Sequence, residues 1–378
     1  MPTQSTYSSD VSLDPPPHDS PYILVGGQIG TWFQSGQAPR LYQVFLSNNS
    51  IRQLRPISGD GTVWTGGWNS SQWLISGWGH DPGPEGSDPY LYLYDGQKQI
   101  AAGSLNQYQS ESSWHGGDVF SVSYNGREWL LTGMGSGTLP HSFLSKPENH
   151  YALATFDGNI FTDLSMIVPE LQDGILYASS WNGKYWLVGG GYQSRGILFT
   201  FDGTEAVDLT PKIEYAVPSF SSVQSIAWNG NYWLIGGIGF LAKYDGYTFL
   251  DLTPELARIL PTHPADSVNA IAWNGFSWLI GGGAPVAQLL RPSEGWLATY
   301  GPNGFVDLSS LLPYYISRQF LTTSSILTIC YSGNSWIIGG YVNNHAILYS
   351  FKNGSIVDLS NLVKNMSYAI WVGGTAHP

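Results

Sequence analysis

Five aspartates recur in one triplet along this 378-residue chain: Asp163, Asp208, Asp251, Asp307 and Asp358 each open Asp-Leu-Ser or Asp-Leu-Thr. A carboxylate beside a hydroxyl could ligate a metal or exchange protons, but only if several copies meet at one point. The other ionisable candidates are His18, His80, His115, His141, His150, His263, His345 and His377. No two of them have His-x-x-x-His spacing, and the single cysteine, Cys330, rules out Cys-x-x-Cys and any intrachain disulfide. The glycine pairs open no helix and match neither GxGxxG nor the Walker pattern. The sequence therefore indicates no metal and no cofactor. A third group is more promising for binding. Trp32, Trp78, His80, Asp81, Trp114, His115, His141 and Glu148 fall in stretches that do not repeat, where aromatics mix with carboxylates and cations are few. Such a surface suits a polysaccharide or a protein partner.

The elements that must position these residues come from an internal repeat. Its first unit reads Ser225-Ile226-Ala227-Trp228-Asn229-Gly230-Asn231-Tyr232-Trp233-Leu234-Ile235-Gly236-Gly237, with copies near residues 65, 120, 177, 269 and 328. The second aromatic falls at Trp73, Trp129, Trp186, Trp233, Trp278 and Trp336. The second unit reads Leu241-Ala242-Lys243-Tyr244-Asp245-Gly246 and closes on Asp-Leu-Thr; seven copies occur. Asn-Gly and Asp-Gly between aromatic and β-branched runs are hairpin signals, read as two-residue type I′ turns. Two hairpins per repeat give four strands, A to D, and four strands at a period of about 50 residues mark propeller blades. In this setting the aspartates are spread around a ring and serve as turn residues, and Thr253-Pro254 reads as a helix N-cap and N1. Regular recurrence assigns the pairs Trp181/Trp186, Trp228/Trp233 and Trp273/Trp278 to packing between blades rather than to sugar stacking.

Seven second units but only six complete first units are present. Tyr22–Gly27 matches strand B with no strand A before it, and residues 367–373, after the last hairpin, match strand A. The fold expected is all-β: a single propeller of seven four-stranded blades, closed where the C-terminal strand joins the N-terminal blade, with six blades as the alternative count. Residues 1–20, rich in Pro, Ser and Asp, read as a flexible tail before the propeller at 21–378.

The order of strand, Gly-Gly, variable loop, aromatic strand and closing strand over residues 21–374 resembles kelch-type propellers. It departs from them in strand A, where Trp-Asn-Gly-x-x-Trp dominates. Low charge with abundant Tyr, Ser, Asn and Gly is similar to surface proteins of thermoacidophilic archaea and their viruses, which implies an extracellular or virion-surface setting. A cytoplasmic scaffold of kelch type is the alternative. With net charge −12 and only 15 Lys plus Arg, no basic stripe exists for nucleic acid. No apolar run approaches the 18 residues of a membrane span, so no membrane insertion is expected. The N-terminus has neither the basic nor the apolar region of a signal peptide. Asn-x-Ser sequons start at Asn48, Asn69, Asn353 and Asn365. These readings favour a non-catalytic binding module that takes a glycan or a protein on the face built by the B–C and D–A connections. A propeller enzyme acting on polysaccharide, a hydrolase or lyase with paired carboxylates, is the competing expectation.

Overall fold

The computed structural model describes residues 22–29, 38–54, 60–80, 87–104, 117–135, 150–168, 174–192, 195–261, 266–283, 294–313 and 323–376. The expected tail at 1–20 lies outside the described residues. The chain is a β-propeller of seven four-stranded antiparallel blades. The innermost strands, A of blades 1 to 7 in ring order, are Tyr368–Ala376, Asp60–Trp68, Asp118–Tyr124, Ile175–Trp181, Val223–Trp228, Ser267–Trp273 and Ser324–Tyr331. Each packs against the next, and the last packs against the first, so the ring is complete. A single bridge, Gly283 to Ser325, joins the sheets of blades 6 and 7.

Both chain ends share blade 1. Tyr368–Ala376 runs antiparallel to Tyr22–Ile29, with Leu24 opposite Gly373 and Val25 opposite Val372. The orphan strands legible in the sequence thus complete one another, and no open sheet edge is left between first and last blades.

The blades cohere through tryptophan. Trp73, Trp129, Trp186, Trp233, Trp278 and Trp336 start strand B and are buried. The last aromatic of strand A, Trp68, Tyr124, Trp181, Trp228, Trp273 or Tyr331, is half-buried with ring centroids 4.2–5.3 Å away. These pairs form the packing between blades, as their regular recurrence implied. The glycine pair ending strand B has two separate duties. A Cβ on Gly236 would come within 2.4 Å of Val268 in the next blade; a Cβ on Gly190 would lie 1.9 Å from the Ile175 carbonyl in its own blade. The first glycine lets a β-branched residue of the neighbour in, and the second lets its own strand A approach.

The turns depart from the type I′ expectation. Four residues, not two, separate Trp228 from Trp233 and Tyr244 from Phe249. In the A–B turns, Oδ1 of Asn125, Asn182, Asn229 and Asn274 accepts two backbone N–H bonds at 2.7–2.9 Å. Asp95, Asp157, Asp202 and Asp245 do the same in the C–D turns. Only the glycine has positive φ, 95° at Gly230 and 97° at Gly246. The Asn or Asp is therefore chosen as a side-chain acceptor. Positive φ at both central residues, as a type I′ turn requires, occurs at Asn353-Gly354 and Asn343-Asn344.

The Asp-Leu-Ser/Thr triplet is a staple. Asp163, Asp208, Asp251, Asp307 and Asp358 accept the backbone N–H of the Ser or Thr two residues on, at 2.8–2.9 Å. That residue's hydroxyl accepts a strand C N–H, as Thr253 does from Leu241 at 3.1 Å. The helix-cap reading of Thr253 is thereby corrected. The helix spans Thr253–Ile259, Leu252 occupies its N-cap, and the Thr253 hydroxyl is turned to strand C.

Candidate binding site

Strand A of every blade is irregular at one equivalent place, and that of blade 1 also at a second, between Gly373 and Ala376. Pairing with strand B skips one residue, a β-bulge, at Trp64, Phe120, Tyr177, Gln224, Asn269, Leu327 and Ile370. A bulged residue is released from the ladder and its side chain is re-aimed. Here the bulges form a layer around the innermost strands, near the end where each strand A begins. The D–A and B–C connections meet at that same end.

The bulge layer is not uniform. Blades 2, 3 and 4 contribute Trp64, Phe120 and Tyr177, all half-buried, with centroids 5.1 Å and 5.3 Å apart across successive blades. Blades 5 and 6 contribute the amides Gln224 and Asn269, and blade 7 the aliphatic Leu327. An aromatic arc thus faces an amide arc around one ring. Beneath it hydroxyls tie neighbouring strands together. The Val122 N–H donates to Thr65 Oγ1 at 3.2 Å, and Ser179 Oγ lies 3.1 Å and 2.7 Å from the hydroxyls of Ser121 and Ser123.

Two residues before Phe120 stands Asp118. Its equivalents in the other blades are Thr62, Ser222, Ser267, Ser325, Ile175 and Tyr368. Ser222 Oγ accepts the Gln224 amide at 3.0 Å, Ser325 Oγ accepts the Asn269 amide at 2.9 Å, and Thr62 Oγ1 bonds Gln28. Asp118 Oδ1 is sealed from solvent and has no hydrogen-bond partner. Burial without a partner pushes this carboxyl up to about 7. Tyr177, in the next blade, faces it: burial and then the nearby Asp118 charge raise that phenol to about 12. The arrangement offers stacking faces, one unsatisfied carboxyl and an opposing set of amides. Among the described residues, no three His, Cys, Asp or Glu side chains converge to hold a metal.

Of the residues singled out in the sequence, Trp78 sits in strand B of blade 2, half-buried and opposite Thr62, next to the Trp64 bulge. It was expected in a B–C connection, but strand B runs on through Trp73–His80, with His80 opposite Asp60. Longer strands also take in His150, buried at the start of strand C of blade 3, and His345, exposed at the start of strand C of blade 7. Trp32, Asp81, Trp114, His115, His141 and Glu148 lie outside the described residues. The connection carrying Trp114 and His115 leads directly into Gly117-Asp118. Cys330 packs against the core, and burial raises its thiol to about 12, a poor nucleophile. Asn48, Asn353 and Asn365 are exposed and Asn69 is half-buried. The bulge layer escaped the sequence reading, yet one signal marks it. In blades 2 to 7 the bulged residue stands five positions before the first turn residue, as Trp64 before Asn69 and Gln224 before Asn229.

No protein-family model matches this chain, and no curated protein sequence does. Solved structures share its fold. The β-propeller domain of the Trilobed protease from Pyrococcus furiosus superposes with a TM-score of 0.52 at 10% identity, over 94% of this chain and 97% of that one. A putative 6-phosphogluconolactonase from Bacteroides uniformis gives 0.51 at 11% identity, over 94% and 99%. The acylaminoacyl peptidase of Pyrococcus horikoshii gives 0.51 at 9% identity, over 90% of this chain and 52% of that one. At such identities the likeness concerns the fold.

Proposed function

We propose that this chain is a non-catalytic binding module, displayed on an extracellular or virion surface, that recognises a glycan or a protein on the face carrying the B–C and D–A connections. The observation that carries this reading is the arc Trp64–Phe120–Tyr177. Three half-buried aromatics on successive blades lie at the end of the ring where the connections vary most in length. Trp78 stands beside the arc on strand B, which ends at His80, and we assign Trp32, Asp81, Trp114, His115, His141 and Glu148 of the neighbouring connections to the same binding face. The opposite face is built of short turns closed on their own Asn and Asp side chains and offers less variation. The order of Gly-Gly, variable loop and aromatic strand supports a kelch-type relationship. The test is a glycan array probed at acidic and neutral pH with the parent and with the Trp32, Trp78 and Trp114 triple-alanine variant. Binding by the parent and its loss in a folded variant is the expected result; equal binding by both would refute the assignment of this face.

One observation favours a second reading. A carboxyl that stays protonated near neutral pH is the form a general acid needs, and Asp118 has it. A glycoside hydrolase would also require a second carboxylate at the site. Release of reducing ends from a polysaccharide that the protein binds, abolished by Asp118→Asn, would establish this reading over the first.

A further inference from the structure

We propose that Asp118 and the aromatic arc Trp64–Phe120–Tyr177 form a subsite for one neutral hexose unit of a glycan. The sugar ring would lie on the aromatics, and its hydroxyls would bond to the Asp118 carboxyl. The proposal rests on the reading above, that this face binds a ligand, and gives that ligand a chemistry.

The first ground is the carboxyl that blade 3 alone places on strand A two residues before the bulge; its Oδ1 has no partner, and neither has the smaller, uncharged Ser267 hydroxyl at the same position of blade 6. At the position of Asp118, blades 1, 2, 5, 6 and 7 carry a hydroxyl, and blade 4 carries Ile175. Gln28, Gln224 and Asn269 are the partners of the hydroxyls in blades 2, 5 and 7. Blade 3 replaces the hydroxyl by a carboxyl and supplies no donor to its Oδ1. A buried carboxyl oxygen without a donor costs free energy in the absence of ligand, and a ligand hydroxyl removes that cost by donating to it. The second ground is the layout of the bulge layer. The arc covers two centroid steps of 5.1 Å and 5.3 Å, with successive rings inclined by 42° and 68°, a faceted wall on which one ring at a time offers its face rather than a cage around a point. Sugar rings present apolar C–H faces that pack on aromatic rings, while their rims carry hydroxyls in several directions. The amides of Gln224 and Asn269 lie on the same ring and can both donate and accept. An alkylammonium would use the aromatics and the carboxyl, but it gains nothing from amides. Tyr177 is the titratable group facing Asp118 from the next blade, and no described Lys or Arg stands by to neutralise it. Among the described residues the site is therefore not pre-paired with a cation.

The experiment is titration of the full chain, by calorimetry and tryptophan fluorescence, with neutral gluco-, manno- and galacto-oligosaccharides and with choline. Variants are Asp118→Asn, Phe120→Ala, Phe120→Tyr and the Trp32, Trp78 and Trp114 triple-alanine. At least one neutral oligosaccharide should bind the parent. Asp118→Asn and Phe120→Ala should each weaken it roughly tenfold, while Phe120→Tyr, which keeps the ring, should retain it. Asp118→Asn is isosteric and leaves the packing intact, so its result holds even if Phe120→Ala unfolds. Loss of binding in the triple variant with none in Asp118→Asn or Phe120→Ala would overturn this subsite while keeping the loop face. Binding of choline but of no neutral sugar would overturn the ligand class. Undiminished binding in all the variants would overturn both readings.

Discussion

Blades 3 and 5 carry the same scaffold residues. Trp129 and Trp233 are the buried rings of strand B. Asn125 and Asn229 close the A–B turn, Asp157 and Asp245 the C–D turn, and Asp163 with Ser165 or Asp251 with Thr253 staples strand D to strand C. The differences that concern the site lie at two positions on strand A and in one connection. Blade 5 has Ser222 and Gln224, bonded to one another, and a B–C connection of only Ile238 and Gly239. Blade 3 has Asp118 and Phe120, with nothing bonded to the Asp118 Oδ1, and a B–C connection of residues 136–149. Positions that hold the blade together are repeated because every blade meets the same neighbours. Bulge positions are released from the ladder, so their residue types are free to serve something other than the fold.

The largest effects should fall on the shared positions. Trp129→Ala and Trp233→Ala should each destabilise by about 3–5 kcal/mol, the cost of emptying a large buried site. Trp129 Nε1 donates to the Gly67 carbonyl at 3.1 Å, whereas Trp233 Nε1 has no acceptor. Trp129→Ala should therefore be the more costly by about 1 kcal/mol. Denaturant unfolding measures both. A near-neutral result for either would break the equivalence of the two scaffolds.

Asp118 separates the blades by pH. Its folded-state value of about 7 stands above the ordinary 3.8, so between these limits the folded chain holds a proton that the unfolded chain releases. The stability from this group is full below the lower limit and is lost as pH rises through the upper one. Asp118→Asn should remove that slope: more stable than the parent on the alkaline side of neutrality, and equal to it near pH 4. Ser222→Asn in blade 5 should introduce no comparable pH dependence. Thermal melts at a series of pH values decide it, and a parent whose stability does not fall between mildly acidic and neutral pH would contradict the assignment.

The blade count and ring closure were legible because they rest on repetition: a partnerless strand B at Tyr22–Gly27 and a partnerless strand A after the last hairpin can satisfy one another only in one sheet. The turns were located but misread, since Asn229 and Asp245 favour a turn both by tolerating positive φ and by accepting N–H bonds, and residue type does not separate these uses. Thr253 looked like a cap because its partner, the Leu241 N–H, is remote in sequence and local pattern ignores it. The bulge layer was missed for a related reason. Strict alternation treats Phe120 as one more strand residue, whereas only the pairing with strand B reveals the skipped position. Trp78 was chosen as a loop aromatic; it stands beside the arc because strand B continues past the glycine that appeared to end it.

The smallest effect should come from exchanging the turn acceptors. Asp157, Asp202 and Asp245 lie below the ordinary carboxylate range, chiefly because each accepts two backbone N–H bonds. Their contribution is present above the unfolded value and is lost as pH falls through the folded one, the opposite direction to Asp118. Asn229 makes the same pair of bonds without a charge. Asp245→Asn should therefore leave the melting temperature unchanged at neutral pH, where either side chain accepts. In acid, as pH falls through the lowered folded-state value and the parent carboxyl takes up a proton, the variant should melt higher than the parent. Asn229→Asp should behave as the mirror case, unchanged at neutral pH and weaker in acid. If Asp245→Asn melts lower at neutral pH, the charge itself supports the turn, and the Asn and Asp turns of a blade are not interchangeable.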